Sequence, residues 1–107
     1  MRRGDFVTIV TAGAYGKPRP ALVVQADAFA AIPSVTVLPL TSDLHDLGLI
    51  RITVQPTAQS GLKSVSQVMI DKAITAPRSK VGDVIGHADD ATLRAVGVAL
   101  GRFLGLA

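Results

Sequence analysis

Short runs of β-branched and aromatic residues, each cut off by glycine, proline or polar turn residues, dominate the first three quarters of this chain. That rhythm restricts the fold to short strands joined by tight connections. Residues 5–11 (DFVTIVT) put Phe6, Thr8 and Val10 on one face and Val7 and Ile9 on the other. Residues 12–20 (AGAYGKPRP) hold two glycines and two prolines and read as a loop. A buried strand is expected over 21–25 (ALVVQ) and another over 35–41 (VTVLPLT). Pro39 cannot donate to a ladder, so the second belongs at an edge or a bulge. Residues 50–55 (IRITVQ) alternate strictly, with Ile50, Ile52 and Val54 opposed to Arg51, Thr53 and Gln55. Residues 65–75 (VSQVMIDKAIT) read as one long strand, and 84–86 as a brief pairing.

From Asp89 the period changes. At about 100° per residue, Leu93, Val96, Gly97, Leu100, Phe103 and Leu104 fall within an arc of about 120°, one face of an amphipathic helix. Asp89 or Asp90 suits its N-cap, and Gly105 its C-terminal stop. Roughly five short strands and one terminal helix predict a mainly β fold, a small, strongly curved antiparallel barrel with the helix closing one face.

At 107 residues, 49% apolar and 18% charged, the chain is expected to fold as one domain, 1–107. It has no cysteine, which excludes disulfides, thiolate metal sites and cysteine nucleophiles and is compatible with a reducing cytosol. All eight acidic residues are aspartates, set against eleven Lys and Arg, and the net charge of +3 favours a polyanionic partner weakly. The N-terminus MRRGDFVTIV lacks the apolar run of a signal peptide, and no apolar stretch spans a bilayer. A soluble, cytoplasmic protein is the expectation.

Arg19 is the most constrained polar residue. Pro18 and Pro20 stiffen the backbone on both sides of it, so its planar, permanently charged fork loses little entropy in gripping a phosphate. Thr41 and Ser42 end an apolar strand, where hydroxyls bind phosphate oxygens or cap a turn. Asp71 is a carboxylate suited to proton transfer or to a structural ion pair. His45, in the polar loop SDLHDLG, belongs to the residue type that exchanges protons near neutral pH, or is simply exposed. His87 reads as a turn residue. No carboxylate cluster or histidine pair stands at metal-ligand spacing.

Taken in order, RRGDFV, GKPRPALVVQ, PLTS, SVSQVMIDKAIT, VGDVIG and LGRFLGL resemble the MazF/PemK family of toxins from bacterial toxin–antitoxin pairs, over nearly the whole chain. The resemblance implies an SH3-like barrel that forms a homodimer, works without cofactor or metal, and cuts single-stranded RNA at short sequences to leave a 2′,3′-cyclic phosphate and a 5′-hydroxyl. It implies active-site roles for Arg19 and Thr41, a matching acidic position at Asp71, and a cognate antitoxin with a flexible, often acidic tail. Met69 stands where some relatives carry arginine. For stacking on RNA bases Tyr15 is the best-placed aromatic, with Lys17 a basic neighbour and Ser42, at the strand end, a further RNA-binding candidate; Phe6, Phe29 and Phe103 read as core or partly buried. Two other readings stay open, a CcdB-like gyrase poison, which would depend on a tryptophan near the C-terminus that is absent here, and a non-catalytic SH3-like binding module.

Overall fold

The computed structural model describes residues 1–10 and 17–106; Tyr15 and most of the loop before Arg19 lie outside them. Among the described residues there are seven strands, β1 (Asp5–Ile9), β2 (Arg19–Val23), β3 (Ser34–Thr41), β4 (Arg51–Val54), β5 (Ser66–Met69), β6 (Ile74–Pro77) and β7 (Val81–His87), and a terminal helix, α1 (Asp90–Phe103). They form one antiparallel sheet in the order β4-β5-β3-β2-β1-β7, with β6 also on β3.

The three central strands are buried on both faces. Phe6 pairs with Leu22 and Leu22 with Leu38, a row that, with Leu40, Val68 and Ile70, meets Val96 and Ala99 of α1 in the first core. The alternate residues Val7, Ile9, Ala21, Val23, Val35 and Val37 form a second core on the opposite face, flanked by Ile74 and Val81. Each fully buried Phe, Leu or Val side chain contributes about 1.5–3 kcal/mol of transfer free energy. Because side chains alternate along a strand, a slip of one residue would exchange the two cores, and this locks the register.

β3 corrects two expectations. It is a central strand, yet it contains Pro39. Its outer edge pairs with β6 over Ser34–Val37 and with β5 over Leu40–Thr41, and Pro39 falls in the gap between the two partners, where no ladder donor is needed on that side. The same change of partner divides the single strand expected over 65–75. A 3-10 turn, Ile70–Lys72, separates β5 from β6, so Asp71 sits in a turn and not on a strand.

No ladder joins the edge strands β4 and β7 among the described residues. The segment after β4 crosses the gap instead, and His87 N–H donates to the Gln59 carbonyl at 2.8 Å. A Cβ on Gly86 would stand 2.3 Å from the Ser60 carbonyl, and one on Gly61 still closer to that of Ile85. The two backbones approach this closely because neither carries a side chain.

Asp89 caps α1, its carboxylate accepting from Thr92 N–H at 2.7 Å. At the other end Gly105, with φ of 73°, takes the left-handed conformation, while Gly105 N–H reaches the Arg102 carbonyl and Leu106 N–H that of Gly101. The predicted apolar face is only half used. Val96 and Ala99 are buried, whereas Phe103 and Leu104 overhang the sheet at 51% and 56% exposure. Phe29 is likewise exposed, and of the three phenylalanines only Phe6 is core.

Gly86→Ala is expected to cost about 3 kcal/mol, since a backbone carbonyl cannot yield to the new methyl as a flexible side chain would. Urea unfolding of the variant against the wild type measures it.

Candidate active site

Arg19 opens β2 and Thr41 closes β3. The β2–β3 ladder consists of Val23–Val37, Leu22–Leu38 and Ala21–Pro39, and its register, continued two residues past that last pair, aligns Arg19 with Thr41. Residues opposite one another in an antiparallel pair project from the same face. On the far edge of β3, Thr41 pairs with Gln67, and Gln67 in turn with Thr53 of β4. One cross-strand row thus carries Arg19, Thr41, Gln67 and Thr53. It continues the face of the second core beyond its last apolar residues. Arg19 and Ser42 are exposed, Thr41 is half-buried, and Lys17 stands exposed just before Arg19. Beside Pro18 lies an open cleft of about 400 Å³ lined by Thr8, Ile9, Lys80 and Val81.

Thr41 Oγ1 accepts the Asp43 N–H at 3.0 Å, a turn that directs the chain off the strand. That bond occupies a lone pair and leaves the hydroxyl proton available to an incoming acceptor. The chain then folds back over β5. The Gln67 amide accepts from His45 N–H at 3.0 Å and donates to the His45 carbonyl at 2.9 Å. His45, exposed at its side chain, has Nε2 3.1 Å from Asp43 Oδ2. When Nε2 carries the proton and donates to Asp43, Nδ1 keeps a free lone pair.

Asp71 is occupied differently. Arg51 Nη1 donates to its Oδ1 at 2.6 Å and Lys72 lies 3.6 Å from Oδ2. The hydrogen bond from Arg51 dominates and holds the carboxyl below its ordinary range, which makes it a poorer proton acceptor. Arg51 is directly opposite Met69 across β4 and β5, and its guanidinium is nearly buried. His87 ends β7, exposed. Among the described residues no three His, Cys, Asp or Glu side chains gather as a metal site.

The structure therefore unites Arg19, Thr41 and the His45 loop at one end of the sheet. It sets Asp71 in an ion pair past the other end of β5. Two contributors had no signature in the sequence. Gln67 shows there only as a polar residue inside an apolar run, and Arg51 only as a member of a polar face.

A family model described as the PemK-like, MazF-like toxin of type II toxin–antitoxin systems matches residues 2–104. This chain belongs to that family. It is 46% identical over 108 residues to a protein named "Probable endoribonuclease MazF" from Mycolicibacterium smegmatis, a match covering 100% of this chain and 99% of that one. The Mycobacterium tuberculosis toxin MazF-mt6 has the same fold, with a TM-score of 0.83 at 25% identity over 96% of this chain and 98% of the other. A MazE–MazF structure from Deinococcus radiodurans matches with a TM-score of 0.80 at 25% identity, over 100% of this chain and 97% of the matched chain. The seven-stranded antiparallel sheet with its C-terminal helix is thus the fold of these toxins. No helix among the described residues is long and apolar enough to cross a membrane.

Because Asp71 is held below its ordinary pKa, the stability it supplies is present above the unfolded-state value and lost as the pH falls through the folded-state one. Asp71→Asn should therefore be less stable than the wild type at neutral pH, with the gap closing below about pH 4. Urea midpoints measured across that range test the sign.

Proposed function

We propose that this chain, acting as a single toxin domain over 1–107, is the toxin of a type II toxin–antitoxin pair and a sequence-specific endoribonuclease working on single-stranded RNA in the cytoplasm without a metal. The observation that carries the reading is the β2–β3 register, whose continuation past Ala21–Pro39 aligns Arg19 with Thr41 at an open strand end. In the proposed step the ribose 2′-oxygen attacks the adjacent phosphorus as the bond to the 5′-oxygen breaks. The 2′-hydroxyl proton passes to a base, and a 2′,3′-cyclic phosphate and a 5′-hydroxyl result. Arg19, permanently charged, neutralises the phosphorane and hydrogen-bonds the departing 5′-oxygen, which takes its proton from water. Thr41 gives its free hydroxyl proton to a non-bridging oxygen.

Of the two candidate bases, His45 is favoured. Its ring is oriented by Asp43, while the Asp71 carboxylate is committed to Arg51. Ser42 and Lys17 lie on the approach to this end of the sheet and are assigned, with Tyr15, to binding the RNA strand.

A homodimer accords with the half-exposed Leu44, Leu47, Leu49 and Phe103, surface that a second copy would cover. A cognate antitoxin with an acidic tail suits the net charge of +3.

Incubating purified protein with mixed-sequence RNA in chelator-treated buffer and sequencing the ends tests the reading. Site-specific cuts are expected, with kcat reduced about 10²–10³-fold by Arg19→Ala and by a smaller factor in Thr41→Val. His45→Ala should lower kcat about 10²-fold and recover in part on adding imidazole. Intact RNA together with inhibited gyrase would favour the CcdB-like alternative.

A further inference from the structure

The loop at residues 42–47 that carries His45 is held in an unusual way. Within the single chain its leucines do not anchor it, since Leu44 and Leu47 are 48% and 47% exposed. Its internal bonds, from Asp43 N–H to Thr41 and between His45 and Asp43, shape it without tying it to the body of the protein beyond the end of β3. Among the described residues, the hydrogen bonds that join this loop to another strand are the two made by the Gln67 amide. We propose that Gln67 is a positioning residue for RNA cleavage, a side-chain clamp that sets the His45 imidazole at a fixed distance from the Thr41 hydroxyl. The inference rests on His45 acting in the reaction.

Three features support the clamp. Gln67 is 7% exposed although polar, so its amide must be satisfied within the protein. Both halves of the amide are satisfied by one residue: its oxygen takes the His45 N–H and its nitrogen gives to the His45 carbonyl, the two-bond ring that paired strands make with backbone alone. Swinging the loop away would strand a buried donor and a buried acceptor together, so the two bonds hold or fail as a unit. Finally, Gln67 is the cross-strand neighbour of Thr41. Hydroxyl and imidazole are thus referenced to the same residue of β5, one through the sheet register and the other through the amide. The sheet is rigid and doubly packed, so a single side chain transfers its precision to a loop that has no core of its own.

Gln67→Met keeps the length and removes both bonds. In this variant kcat should fall about 10–100-fold, the loss expected from an ångström-scale misplacement. KM should stay within about twofold and thermal unfolding should remain cooperative. The backbone amide of His45 should lose its protection from hydrogen exchange while that of Val68 keeps it.

Gln67→Glu supplies a readout that a merely structural role would not move. As a carboxylate it still accepts from His45 N–H but repels the carbonyl; once protonated it reproduces both bonds. As the pH is lowered, the kcat of Gln67→Glu relative to the wild type should therefore recover together with protection of the His45 amide, which stays level in the wild type. Wild-type kcat in Gln67→Met, or an unchanged His45 exchange rate, overturns the clamp, as does a rate loss that merely tracks the fraction unfolded.

His45→Ala separates the clamp from the assignment beneath it. If His45→Ala cuts at the wild-type rate while Gln67→Met is slow and unprotected, the histidine is not the base and the clamp falls with that assignment. If His45→Ala is slow and Gln67→Met is not, the base stands and the clamp falls.

Discussion

Bonding along both edges of β3 is the constraint on which the molecule depends. Its residues alternate between two apolar cores, Leu38 and Leu40 facing one and Val35 and Val37 the other. A slip of one position would turn every one of them to the wrong side. The register is thereby held far more tightly than hydrogen bonds alone would hold it. Arg19, Thr41 and Gln67 are polar residues at the ends of strands, yet they inherit that certainty, because their places follow from the buried pairs a few residues inward.

Beyond the cores the architecture changes character. At one end of the sheet the row runs out into an exposed cation, a hydroxyl with a free proton and a loop carrying an imidazole. At the other end of β5, Arg51 and Asp71 pair with one another, with Lys72 close by. The second arrangement ties a strand to a turn and leaves little capacity for moving protons. The first leaves its donors and acceptors directed outward. Each end carries an arginine, and what separates them is that Arg51 is paired with Asp71 whereas Arg19 is exposed. The family resemblance gives Arg19 and Thr41 their expected roles, and both stand at the first end.

Much of this was legible before any coordinates. Proline on either side of Arg19 marks a stiffened cation, strict alternation over 50–55 separates Ile52 and Val54 from Arg51 and Thr53, and Asp89 announces the helix. What was misread shares one cause. Pro39 looked like a mark of an edge, and 65–75 like one continuous strand, because local patterns say nothing about which neighbour a strand faces at each point. β3 changes partner opposite the very turn that breaks 65–75, and neither feature makes sense without the other. Phe103 and Leu104 fit the helical stripe as well as Val96 does, but the sheet beneath does not reach that far.

By itself the sequence determined the kinds of element, their order and the family, because these are written in periodicity, turn chemistry and short motifs that act within a few residues of themselves. The tertiary structure alone decided who stands beside whom: Gln67 against the His45 backbone, Arg51 against Asp71, Gly86 against the segment after β4. Those partners lie between about twenty and about thirty positions apart along the chain, and the register locked by buried side chains is what brings them together.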